Sequence, residues 1–195
     1  KIDGYVKRQV EGWIKRYNHS KTDVIVNMDF VAKWLNDNQP LEVEGSIVHN
    51  DFKYDNLVLD KNNHSNITAV LDWEMATIGD PFMDLGTTLG YWMDKNDLPE
   101  LKLFQLSATT LDGNPTREGI LEMYESKSGK TIPHPVFYYV FGLFKIAVIA
   151  QQIYFRYKKG FTKDRRFGLL NLAVMSLSIM AKQAIVKNRL SNLFE

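Results

Sequence analysis

The feature that most constrains this chain is the run Val136 to Phe155. Twenty almost wholly apolar residues are long enough to span a bilayer. They are also long enough to form a helix buried on every side. Three features favour the buried helix. Lys145 sits near the centre, where a charge in hydrocarbon is costly. Gln151 and Gln152 follow it, and Gly142 interrupts the run. The expected structure is therefore a core helix with other elements packed around it, and no membrane span.

The rest of the chain supplies those elements. Tyr5, Val6, Val10, Trp13, Ile14 and Tyr17 recur at helical spacing among charged residues. Further helices are expected over 29–36, 82–92, 98–107, 116–126, 136–158 and 164–188. Asp80-Pro81 provides a cap and a first-turn proline before the run at 82. Gly160 is the expected stop between the last two helices. Short strands are expected at 45–48, 56–60 and 67–71, separated by the polar turn Lys61 to Asn66. The fold class is thus α+β, mostly helical, with a small strand cluster in the first third.

Composition narrows the function classes. Lys plus Arg is 24 against 23 for Asp plus Glu, so there is no charge excess of the kind that nucleic acid attracts. Cysteine is absent, which removes disulfides, thiol nucleophiles and Cys-based zinc sites. No apolar N-terminal segment resembles a signal peptide, and a cytoplasmic location is the expectation. Ser128-Gly129-Lys130-Thr131 has the ending of a phosphate-binding loop. However, Tyr124 stands where that motif needs its first glycine, and no strand precedes it.

Chemistry concentrates between residues 47 and 86. His49-Asn50-Asp51 follows one strand, and Asn56 opens the next. Asp72-Trp73-Glu74 ends a third, and Asp84 follows Asp80-Pro81. Phosphoryl transfer needs a carboxylate to orient a hydroxyl and take its proton. It also needs oxygen ligands, commonly a carboxylate and an amide, to hold a divalent metal on the nucleotide phosphates. The kinase catalytic loop places the base Asp five residues before a metal-binding Asn, with a second metal-binding Asp on a later strand. Asp51, Asn56 and Asp72 have that arrangement, and Lys53 is placed to meet a transferring phosphate.

These stretches resemble the aminoglycoside phosphotransferase and choline kinase superfamily, relatives of the protein kinases. A narrower resemblance is to the kinase-like domains of some acyl-CoA dehydrogenase family proteins. It rests on 5–13, 48–56, 71–74 and 79–81, and continues through 137–141 and 151–157. The resemblance implies a kinase-like C-terminal lobe using ATP and Mg2+ to phosphorylate a small-molecule hydroxyl. Asp51 would be the base, with Asn56 and Asp72 the metal ligands. His49 would orient the loop and Asp84 brace it. Glu74 replaces a glycine of the protein-kinase pattern and is left as a further metal or substrate contact. The narrower resemblance points to hydroxylated acyl-CoA-type acceptors. Before residue 45 there is no glycine-rich loop, and no strand lysine followed by a helical glutamate. With Lys1 in place of Met, residues 1–195 are therefore expected to be that lobe alone, inactive without its nucleotide-covering partner.

Two other classes are compatible with the residues. One is a non-catalytic, pseudokinase-like binding module. The other is a metal-dependent hydrolase using His49, Asp51 and Asp72 as ligands. The aromatic run Phe137, Tyr138, Tyr139, Phe141 and Phe144 is expected to be core, with the lining of an acceptor pocket as its second reading.

Overall fold

The computed structural model describes residues 2–104 and 108–195. The run around Lys145 forms one helix, α5 (Pro135–Lys158), and every residue from Val136 to Lys145 is buried. Pro135 occupies its first turn, where a missing N–H costs nothing. Beyond Lys159, Gly160 turns the chain with a left-handed φ of 76°. In the most apolar window of α5, 78% of the residues are buried inside the protein, so its apolar surface serves the core.

Around α5 pack α1 (Tyr5–Ser20), α2 (Val26–Asp37), α3 (Pro81–Tyr91) and α6 (Leu170–Lys187). The α3–α5 crossing is close. A Cβ on Gly86 would lie 2.2 Å from the Tyr138 carbonyl oxygen, and one on Gly142 would lie 2.0 Å from the Gly86 carbonyl oxygen. Two glycines facing each other let the backbones touch. The residue that looked like an interruption of an apolar run is a contact point.

The strands form two separate antiparallel ribbons. β1 (Ser46–Val48) pairs with β4 (Thr77–Gly79), and β2 (Leu57–Leu59) pairs with β3 (Ile67–Val70). α4 (Arg117–Ser128) is capped by Thr116, whose hydroxyl accepts from the Gly119 amide at 3.2 Å. It ends on Gly129 in the left-handed conformation. Ser128 to Thr131 is therefore a helix C-terminus, the wrong end for cradling phosphate.

Four expectations need correction. β4 was not foreseen. β2 begins at Leu57, because Asn56 closes a 3₁₀ turn, Tyr54–Asn56. The helix expected over 98–107 is a 3₁₀ stretch, Pro99–Phe104, and residues 105–107 lie outside those described. The helix expected from residue 164 starts as 3₁₀ turns, Arg165–Leu169, with Asp164 accepting from the Arg166 amide, and becomes α-helical at Leu170.

Candidate active site

The loop after β1 is held from three sides. The Asp84 carboxylate, on the first turn of α3, accepts from the His49 amide at 2.7 Å and the Asn50 amide at 2.8 Å. α3 is aimed there by its cap, where Asp80 accepts from the Phe82 amide at 2.7 Å. His49 is buried. Its Nδ1 accepts from the Asp51 amide at 3.2 Å, which leaves Nε2 to donate to the Leu71 carbonyl at 2.8 Å. One imidazole thus ties the loop after β1 to the segment carrying Asp72. Asn50 adopts a left-handed φ of 67°, and its side-chain amide donates to the Met75 carbonyl at 3.0 Å. The Asn50 carbonyl accepts from the Lys145 ammonium at 2.6 Å.

Asp51 projects from this loop with 17% of its side chain exposed. Lys53 Nζ reaches its carboxylate at 2.8 Å and lies 4.7 Å from the centre of the Tyr91 ring. The Asn56 side-chain amide donates to the Asp51 backbone carbonyl at 2.8 Å and to its carboxylate at 3.3 Å. Tyr91 lies within electrostatic reach of Asp51. Its phenol is pushed above the usual range, first by burial and then by the Asp51 charge.

Asp72 arrives by a backbone tie, as the Leu71 amide donates to the Asn56 carbonyl at 2.8 Å. It turns with a left-handed φ of 66° and is solvent-exposed. Glu74 is exposed two residues on, in the 3₁₀ turn Trp73–Met75. The amide of Asn56 is committed to Asp51, and no hydrogen bond among the described residues claims its Oδ1 or the Asp72 carboxylate. A carboxylate and an amide oxygen are hard-oxygen donors of the kind that suit Mg2+. No cluster of three His, Cys, Asp or Glu with metal-ligand geometry exists among the described residues.

A cavity of 720 Å³ lies between α3, α5, α6 and the 3₁₀ stretches, lined by Tyr91, Leu143, Ile146, Ile153, Phe167 and Met180 among others. Tyr91 also lines a small cleft with Lys53. One phenol therefore borders both the Asp51 neighbourhood and an apolar chamber. None of Phe137, Tyr138, Tyr139, Phe141 or Phe144 lines that chamber. They are core.

Residues 1–118 match the phosphotransferase enzyme family. The chain belongs to that family. Its fold superposes with a TM-score of 0.84 on a crystal structure from Ralstonia eutropha JMP134, of a protein classed with the aminoglycoside phosphotransferases. The two are 30% identical, over 96% of this chain and 57% of that one. Rat acyl-CoA dehydrogenase family member 11 is 33% identical over 203 residues, covering 96% of this chain and 26% of that protein. Mouse acyl-CoA dehydrogenase family member 10 is 36% identical over 154 residues, or 78% of this chain and 14% of that protein. The chain thus spans about a quarter of one of these curated relatives and 14% of the other. It is a kinase-like phosphotransferase domain by family and fold.

Lys145 and Tyr91 escaped the sequence reasoning as site residues. Lys145 had a signal, being the one cation inside a long apolar run. Tyr91 had none, since it ends an ordinary helical pattern.

Proposed function

We propose that this chain is the catalytic lobe of an ATP- and Mg2+-dependent kinase that phosphorylates a hydroxyl on a small molecule with an apolar portion. The observation that carries the proposal is the juxtaposition of Asp51, Asn56 and Asp72 by hydrogen bonds of the loop itself. Asp51 orients the acceptor hydroxyl and takes its proton. Asn56 aligns the Asp51 carboxylate with its amide, and its oxygen, with Asp72, would hold the metal. Magnesium supplies neutralisation of the phosphate charge when bound. Lys53, held beside Asp51, gives a cation for the transferring phosphoryl group. His49 and Asp84 are positioning residues, and Glu74 is a further contact at the open edge.

The acceptor's apolar part takes the chamber behind Tyr91, which suits an acyl chain and not a polycationic aminoglycoside. A nucleotide-covering lobe completes the ATP site over the exposed side chains of Leu71, Trp73 and Met75.

The test is Mg2+-dependent ATP consumption by the full-length protein with hydroxylated acyl acceptors and with aminoglycosides. Stimulation by hydroxyacyl compounds alone is expected. Stimulation by aminoglycosides, or by no hydroxylated acceptor, would refute the acceptor assignment.

A further inference from the structure

We propose that Lys145 is a positioning residue for the catalytic loop, fixing the Asn50–Asp51 peptide from inside the core and so setting the direction of the Asp51 side chain. This rests on reading Asp51 as the base. The peptide plane is pinned at both ends. Its carbonyl accepts from the Lys145 ammonium at 2.6 Å, and its N–H donates to His49 Nδ1 at 3.2 Å. Upstream, Asp84 holds the preceding two amides. Three side chains from β1's end, α3 and α5 therefore determine one short loop.

The conformation needs this. Asn50 is left-handed, a region that non-glycine residues occupy only where surroundings over-determine it. The turn directs its carbonyl inward, towards α5, where Lys145 is the donor. An ammonium 4% exposed among the apolar side chains at the middle of α5 is expensive. The helix would bury a methionine there at no such cost. Burial pushes Lys145 down to about 8, while the nearby Asp84 and Asp51 carboxylates push it up. A neutral amine still donates to the carbonyl, so the tie does not depend on the charge. The Trp13 ring, 5.7 Å away, closes the pocket from α1.

The test compares the full-length protein with Lys145→Met and Lys145→Arg in two measurements. The first is amide hydrogen exchange over residues 49–53 without nucleotide. Lys145→Met is expected to lose at least roughly tenfold protection there and keep it in α3, α5 and α6. The second is steady-state turnover of Mg-ATP. For Lys145→Met, kcat is expected to fall about a hundredfold, as for a catalytic group displaced by an ångström, with KM for ATP within about twofold. Lys145→Arg, which retains a donor, recovers most of both. Unchanged protection over 49–53 overturns the proposal. So does loss spread evenly over the core, which marks a packing residue only. If the parent protein turns over no ATP, the phosphotransferase reading fails, and the exchange measurement still decides the role of Lys145.

Discussion

Gly142→Ala adds one methyl group at the α3–α5 crossing, and its cost follows from the geometry. The new Cβ would stand 2.0 Å from the Gly86 carbonyl oxygen, 2.7 Å from its carbon and 3.1 Å from the Thr87 Cα. The first distance is about 1 Å below the closest approach that packed carbon tolerates. Every atom it meets is backbone, so no side chain can rotate away. The helices must separate, and a gap of that size forfeits roughly a quarter to a half of each dispersion contact along the seam. Overpacking of this kind costs about 1–3 kcal/mol, and rigid partners on both sides place it near the upper end. For a chain of this size, about 3 kcal/mol lowers the melting temperature by roughly 6–12 °C. Gly12→Ala is the control. Its Cβ meets only the Arg16 guanidinium, at 3.3 Å, the far end of a flexible side chain. Alanine in mid-helix gains roughly 0.5–1 kcal/mol over glycine, so Gly12→Ala should melt slightly higher than the parent. Circular dichroism melts of both variants decide it. A Gly142→Ala protein melting within about 2 °C of the parent would refute the close-contact reasoning.

Two further predictions concern buried charge. Arg117, 1% exposed, donates to the Trp92 carbonyl at 2.7 Å, the Leu190 carbonyl at 3.0 Å and Asp97 at 3.1 Å, tying the C-terminal segment to α4. Arg117→Leu leaves Asp97 buried and unpaired, an expected loss of about 3–5 kcal/mol in a denaturant titration, and a loss under about 1 kcal/mol contradicts the account. The second concerns pH. With Lys145 titrating at about 8 in the folded protein against 10.5 ordinarily, the unfolded chain holds more protons between those values. Stability from this group therefore rises with pH across that window. From pH 7.0 to 9.5 the parent should gain up to about 2 kcal/mol relative to Lys145→Met, and no relative gain means the group titrates normally.

Elements with strong local signals were legible in the sequence. The Asp80-Pro81 cap announced α3, and the apolar run announced α5. What failed was short or non-local. Three-residue β4 cannot show alternation, and its existence depends on pairing with β1, some thirty residues earlier. The apolar spacing over 98–107 is compatible with a helix, but Pro99–Phe104 forms a 3₁₀ stretch that packs against α6. In the candidate site, the closeness of Asp51 and Asn56 was legible because only five positions separate them, and the Asn56 amide bonds back to Asp51. The support behind them was less so. Lys145 lies 95 residues from the carbonyl it holds, and its charge was read only as evidence against a membrane span. The cavity could not be read at all, since its walls come from residues scattered between Gly90 and Met180.

The central claim is that Asp51 is the base of a phosphoryl transfer. Asp51→Asn preserves the shape of the side chain and removes its basicity. In the full-length protein with Mg-ATP and a hydroxylated acyl acceptor, turnover should fall by about 10²–10⁴-fold, with ATP affinity and melting temperature close to the parent's. Turnover within about tenfold of the parent would contradict the claim.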